Sequence, residues 1–170
     1  MNANVLGLPD PEELPEGTRR VFADAHDRDL ALELVTRPAA RSLEEAAELL
    51  GISPAEIVKT LVLRRGEGDY LFALIPGGRR ISWPKLRETL GVNRVTLPDA
   101  EEALAATGYE RGTITPLGST TAWPVYADAT IPGRRVSLGA GAHGWSIFTA
   151  ADELIAALGA VVADISEPEG

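Results

Sequence analysis

Four stretches of helix-like apolar spacing in this chain are each stopped by a glycine: Gly51, Gly91, Gly108 and Gly159. A glycine just past such a run takes the left-handed conformation that ends a helix, so these positions limit how long the helices can grow. The first run is also marked at its start. Ser42-Leu43-Glu44-Glu45 has the form of a capping box, and Leu43, Ala46, Ala47 and Leu50 follow at helical spacing. Ser53-Pro54-Ala55-Glu56 opens a further short helix, with proline in the first turn where its missing N–H is harmless, and that helix runs out near Lys59. Ser82 caps the run stopped by Gly91, Asp99 with Glu102 caps the one ending near Gly108, and Thr149 caps the one ending at Gly159. An earlier helix is read over residues 18–27.

Between these helices lie short runs of strand character. Residues 30–35 alternate, Leu61-Val62-Leu63 begins a strand, and residues 70–75 form its neighbour before the turn Pro76-Gly77-Gly78. Further strands are read over 125–128, 136–138, 146–148 and 161–165. Several follow one another with only turns between, and a strict βαβ repeat is absent. The expected fold is therefore mixed α/β of the α+β kind: a curved, largely antiparallel sheet surrounded by helices. Residues 1–17, with Gly7, Pro9, Pro11, Pro15 and Gly17, read as an extension, 18–166 as one domain, and 167–170 as a fraying tail.

Composition limits the function classes. The chain has 170 residues, 45% of them hydrophobic, enough for one domain with a substantial core. With no cysteine it has no disulfide framework and no thiolate metal site. No apolar run approaches the ~18–20 residues of a membrane span. Asp10, Glu12 and Glu13 near the start do not suit a signal peptide, which points to the cytoplasm. The net charge of −9 argues against a long phosphate-binding surface, so any nucleic-acid contact is expected to be local, such as the end of a strand.

Three features could carry chemistry. Lys59, between an apolar helix end and an apolar strand, could hold a phosphate or ribose oxygen or polarise an ester; the plainer reading is a cation at a helix C-terminus, worth ~0.3–1 kcal/mol. The stretch 107–118 contains Gly108, Gly112, Pro116 and Gly118, and its exposed N–H groups could bind a carbonyl or developing oxyanion; an ordinary connection explains it equally well. In Ser137-Leu138-Gly139-Ala140-Gly141-Ala142-His143-Gly144 small residues could close on a ligand and His143 could orient water; a surface histidine is the plainer account. Asp128 could line a cleft or cap a turn. His26 and His143 lack zinc-ligand neighbours, and neither a Ser-His-Asp order nor Gly-x-Ser-x-Gly stands out.

Taken together in order, these pieces resemble the YbaK/prolyl-tRNA synthetase-associated editing family over nearly all of residues 20–165. The strongest stretches are 42–51 leading to Ile57-Val58-Lys59-Thr60-Leu61, then Thr107-Gly108-Tyr109 through Gly112-Thr113-Ile114-Thr115-Pro116-Leu117-Gly118, Val125-Tyr126-Ala127-Asp128, and Gly139-Ala140-Gly141. The resemblance implies a YbaK-like barrel-like sheet ringed by helices. It also implies hydrolysis of the ester joining a wrongly attached small amino acid to the 3′ end of a tRNA. Lys59 falls on the family's essential lysine, Gly112 and Pro116 on its Gly-x-x-x-Pro loop, and His143 near a histidine of alanine-editing members. Thr60, Thr113, Ile114, Thr115, Gly118, Asp128, Gly139 and Gly141 are the accompanying substrate-binding candidates.

The implied partner is the acceptor end of a mischarged tRNA, with a synthetase as a further candidate, no DNA and no membrane. No cofactor and no metal are implied. Between alanine, cysteine and another small residue the substrate stays open. The rival readings are a non-catalytic module of the same fold that recruits a tRNA end, a synthetase or a cell-envelope factor, and a hydrolase of another small ester or amide.

Overall fold

The structure, a computed structural model, describes the backbone of Asn4–Leu6 and all of residues 13–170. Its central hairpin pairs β3 (Val58–Gly66) with β4 (Asp69–Pro76), setting Lys59 opposite Ile75 and Leu63 opposite Leu71. Side chains alternate across a strand. On β4, Phe72 and Leu74 enter one apolar cluster, and Leu71, Ala73 and Ile75 enter another. A strand covered on both faces reads as an unbroken apolar run, as residues 70–75 do. β6 (Val125–Asp128) and β9 (Val161–Ala163) complete this sheet in the order β3-β4-β6-β9.

A second four-stranded sheet runs β1 (Asn4–Leu6), β2 (Glu33–Thr36), β8 (Trp145–Ala150), β7 (Arg135–Gly139), antiparallel throughout. The larger cluster joins the two sheets through Val58, Val62 and Leu74 from one and Leu34, Val136 and Ile147 from the other. It is closed by Val21 and Ala25 of α1 (Glu16–Asp27) and Leu154 of α5 (Ala151–Leu158). The smaller cluster packs Leu63 and Ile75 under Leu86 of α3 (Trp83–Leu90), with Ile81 of β5 (Arg79–Ile81) and Ile165. Ile57 bridges to Ser137 of β7 in parallel, so the sheets meet where β3 begins. α2 (Leu43–Leu50) and α4 (Ala100–Thr107) complete the helices among the described residues.

The expected stops are present: Gly51, Gly91, Gly108 and Gly159 all take positive φ at helix ends. Ser42 and Asp99 accept from Glu45 N–H at 3.0 Å and Glu102 N–H at 2.8 Å. The mixed, largely antiparallel fold also holds, with β4–β6 and β6–β9 as its two parallel pairs among the described strands.

Other expectations need correction. Pro54–Glu56 is a single 3₁₀ turn, closed by Glu56 accepting from Ser53 N–H at 3.2 Å, and Ile57 is already extended. Lys59 is therefore inside a strand, not at a helix end, because Val58 and Thr60 are engaged in the ladder with β4. The strand read over 30–35 runs Glu33–Thr36, since Leu30 N–H bonds back to Ala25 O at 2.8 Å and is tied to the end of α1. Thr149 does not cap α5; its hydroxyl donates to Ala31 O at 3.1 Å, and Ala150 stands at the cap. The last strand stops at Ala163, and β10 (Ser166–Pro168) turns aside to pair with β5, so Glu167 and Pro168 of the expected tail are hydrogen-bonded in a sheet. α1 starts at Glu16, inside the stretch read as an extension.

Candidate active site

Where the two sheets meet, a cavity of about 630 Å³ opens between α2, the start of β3, the end of β7 and the loops around Gly112 and His143. Cavities of this size suit a ligand of nucleoside dimensions. Of the residues singled out above, Lys59, Thr60, Gly112, Ile114, Gly139 and His143 line it.

β3 delivers two of them on opposite faces. Thr60 shares its face with Val58 and Val62, and its hydroxyl is buried without a partner among the described residues. A buried hydroxyl left unpaired costs stability, and no described protein group offsets that cost here. Lys59 borders the cavity from the other face. Its ammonium donates to Arg79 O at 2.5 Å and stands 3.4 Å from the Glu169 carboxylate.

The loop before β6 contributes backbone. Gly112 has φ of +90°, which a side chain would strain, and a Cβ there would lie 3.4 Å from the His143 ring. The loop can thus sit directly against His143, whose Nε2 is 3.4 Å from a Glu110 carboxylate oxygen. Thr113 N–H donates to Glu110 O at 3.0 Å, Leu117 N–H to Thr115 Oγ1 at 3.4 Å, and Gly118 N–H to Asp24 Oδ2 at 2.8 Å. The N–H groups of Gly112 and Ile114 find no acceptor among the described residues. The Arg111 N–H, also on the cavity wall, has no acceptor among the described residues either, so these three are the oxyanion donors the loop can offer.

The remaining candidates hold the site from behind. Thr113 and Thr115 are buried, with the Thr113 hydroxyl bonded to Glu110 O at 2.8 Å. Pro116 lines a separate cavity of about 260 Å³ with Arg28 and Trp123. Gly139 lets β7 approach the loop, since a Cβ there would fall 3.0 Å from Ile114 O. Gly141 N–H donates to Thr113 O at 3.1 Å. Asp128 is 1% exposed and clamps strand ends, accepting from Thr130 and from Ile165 N–H at 3.2 Å, with Arg79 Nε at 3.8 Å. Burial pushes its pKa up, but the hydroxyls of Thr130 and Ser166 and the amides of Thr130 and Ile165 outweigh that and hold it below the usual carboxylate value.

The sequence reading missed what positions the loop. Arg20 Nε donates to Gly118 O at 3.1 Å, Asp24 accepts from Gly118, and Thr18 Oγ1 donates to Ala140 O at 2.7 Å, so α1 fastens both glycine-bearing segments. Tyr109 is buried beneath Arg20 and donates its hydroxyl to Leu117 O at 2.7 Å; burial pushes its pKa up to about 12. Arg37, also on the cavity wall, was not singled out either, and Arg111 and Ser137 entered only as members of the stretches 107–118 and 137–144. The glycines of 107–118 and 139–141 were the available signal, because each marks a close approach by something. What approaches is more than ninety residues away in sequence for Gly118 and Ala140.

Residues 37–157 match the family model of the aminoacyl-tRNA editing domain. The chain is 34% identical to a proline–tRNA ligase of Trichlorobacter lovleyi over 70% of its own length and 20% of the ligase. It thus spans about a fifth of that relative. It is 30% identical to a protein of Enterococcus faecalis named as a proposed Cys-tRNA(Pro)/Cys-tRNA(Cys) deacylase, EbsC, over 75% of this chain and 79% of that one. A crystal structure described as a proposed trans-editing enzyme for prolyl-tRNA synthetase superposes with a TM-score of 0.83 at 31% identity, covering 93% of this chain and all of the other. Fold and sequence agree that this chain belongs to the YbaK-type aminoacyl-tRNA editing domain family.

Proposed function

We propose that this protein is a cytoplasmic trans-editing hydrolase that removes a small amino acid, alanine or cysteine, from mischarged tRNA of the tRNA(Pro) type. The observation that carries this reading is that Lys59, Thr60, Gly112 and Ile114 with their free amides, and His143 all line one cavity. An aminoacyl ester is already activated, so positioning and charge stabilisation suffice without a covalent enzyme intermediate. Water adds to the ester carbonyl, the oxygen that gains charge is held by the Gly112 and Ile114 N–H groups, and collapse expels the ribose oxygen, which takes up a proton. His143, beside Gly112, is placed to orient that water. Thr60 and Lys59 hold the terminal nucleoside, Lys59 by releasing Glu169.

A cavity of this kind engages the acceptor end alone, which suits a chain of net charge −9. The likeness to a region of proline–tRNA ligase supports tRNA(Pro), and makes the ligase that charges it a candidate partner. The test is deacylation of a panel of alanyl-, cysteinyl- and seryl-tRNAs by the purified protein. Release of alanine or cysteine, reduced on the order of a hundredfold by Lys59→Ala, is expected. No release from any member of the panel would instead favour a non-catalytic tRNA-binding module. Equal hydrolysis of free amino-acid esters would favour a general esterase.

A further inference from the structure

Acidic side chains outnumber lysine and arginine in this chain by 25 to 16, and among the described residues Arg28, Arg41, Arg64, Arg65, Arg79, Arg80 and Arg135 each stand within ion-pair distance of a carboxylate. Arg28 meets Asp24, Arg65 meets Asp69 and Arg80 meets Glu167, each at 3.2 Å or less. Arg37 is not among them, and it is the one arginine of the described residues with a buried nitrogen that has no hydrogen-bond partner. It is half-buried on the cavity wall, its Nε is shut off from solvent with no partner among the described residues, and Nη1 reaches only the carbonyl of its neighbour Pro38, at 3.2 Å. No carboxylate lies within ion-pair distance of it among those residues. Burial without a counter-ion lowers its pKa from the ordinary value, although an arginine stays charged at neutral pH.

Its position is fixed. Arg37 N–H donates to Gly144 O at 3.0 Å, which ties it to the turn carrying His143. A half-buried guanidinium with donors to spare, held on the wall of a cavity, is suited to receive an anion. On the reading proposed above, the aminoacyl end brings an ammonium and an ester, neither of them anionic. The negative charge nearest the reacting bond is the phosphodiester on the 5′ side of the terminal nucleoside.

We propose that Arg37 is the binding residue for that terminal phosphate, and so sets how the nucleotide is seated against the Gly112 loop. This rests on the editing assignment, but its test need not use hydrolysis. Titration with 5′-AMP, adenosine and inorganic phosphate, followed by amide chemical shifts, reads the site directly. The wild-type protein is expected to bind 5′-AMP at least tenfold more tightly than adenosine. Arg37→Gln should bring the two within about twofold while leaving adenosine binding unchanged, and Arg37→Lys should keep part of the preference. Arg80→Gln, a surface arginine paired with Glu167, should keep all of it.

The melting temperature of Arg37→Gln should equal or exceed that of the wild type, because a half-buried cation without a counter-ion does not stabilise the fold. Equal affinity of the wild type for 5′-AMP and adenosine would overturn the proposal. So would a preference that survives Arg37→Gln, or a large fall in its melting temperature, which would mark a structural arginine. Inorganic phosphate binding as tightly as 5′-AMP would replace a nucleotide subsite with a plain anion site. Failure of the deacylation panel would sink the editing assignment and leave these titrations to stand by themselves.

Discussion

The ammonium of Lys59 donates to the carbonyl of Arg79 and stands 3.4 Å from the carboxylate of Glu169, so the charged end of this wall residue is held by two groups that do not themselves line the cavity. β10 makes this possible by pairing with β5, which carries Arg79. The Lys59 and Glu169 side chains are 29% and 49% exposed, and pairs of that kind are worth ~0–1 kcal/mol. Glu169→Gln is therefore expected to move the melting temperature by no more than about 2–4 °C. It should also strengthen binding of the uncharged tRNA acceptor end severalfold by freeing Lys59. Calorimetry and an equilibrium titration check the two halves, and unchanged or weaker binding would mean that Glu169 does not compete with the ligand.

The start of α1 lies against the 139–141 turn more tightly than any side chain allows. A Cβ on Gly17 would lie 2.0 Å from Gly141 O, a backbone atom that cannot swing away. Gly17→Ala should cost about 1–3 kcal/mol or more through overpacking and should also lower deacylation, because Gly141 N–H holds Thr113 O. Gly51→Ala offers the contrast. Its φ of +72° is strained for alanine, but nothing lies within 4 Å, so the cost should be about 1 kcal/mol with activity kept. Chemical denaturation of both variants, beside the deacylation assay, separates the effects.

Tyr109 makes alkaline stability depend on one buried phenol. Its pKa is raised from 10.0 to about 12, so the fold favours the protonated form. The stabilisation is fully present below pH 10 and is lost as pH rises through 12. It amounts to about 2–3 kcal/mol. Tyr109→Phe lacks the hydrogen bond to Leu117 O and should be less stable at pH 8, while falling less steeply between pH 10 and 12. Denaturation midpoints across that range give the slope, and parallel curves would show that another group controls it.

Asp128 acts in the opposite direction. Its folded pKa lies below 3.8, so its contribution is present above that value and is lost as pH falls through the lowered one. Asp128→Asn should flatten the acid limb of the stability curve below pH 3.8 and loosen the ends of β6 and β9. Acid unfolding followed by circular dichroism tests the first effect, and amide exchange at Ile165, which donates to Asp128, tests the second.

What the sequence by itself determined about this protein is what a few adjacent residues encode. Gly51, Gly91, Gly108 and Gly159 end helices because a left-handed residue is needed there and glycine supplies it without strain. The unbroken apolar run of β4 was legible because a strand covered on both faces leaves no room for polar alternation. The same local reading located Lys59, Gly112 and His143 as candidates. It did not reach the burial of Arg37 without a counter-ion, the hold of Glu169 on Lys59, or the clamp of Arg20 and Asp24 on Gly118. Each of these joins or isolates groups distant in sequence. Only the packing of α1, of β10 and of the two sheets decides which of them meet, because a side chain's partners depend on how closely whole elements can approach.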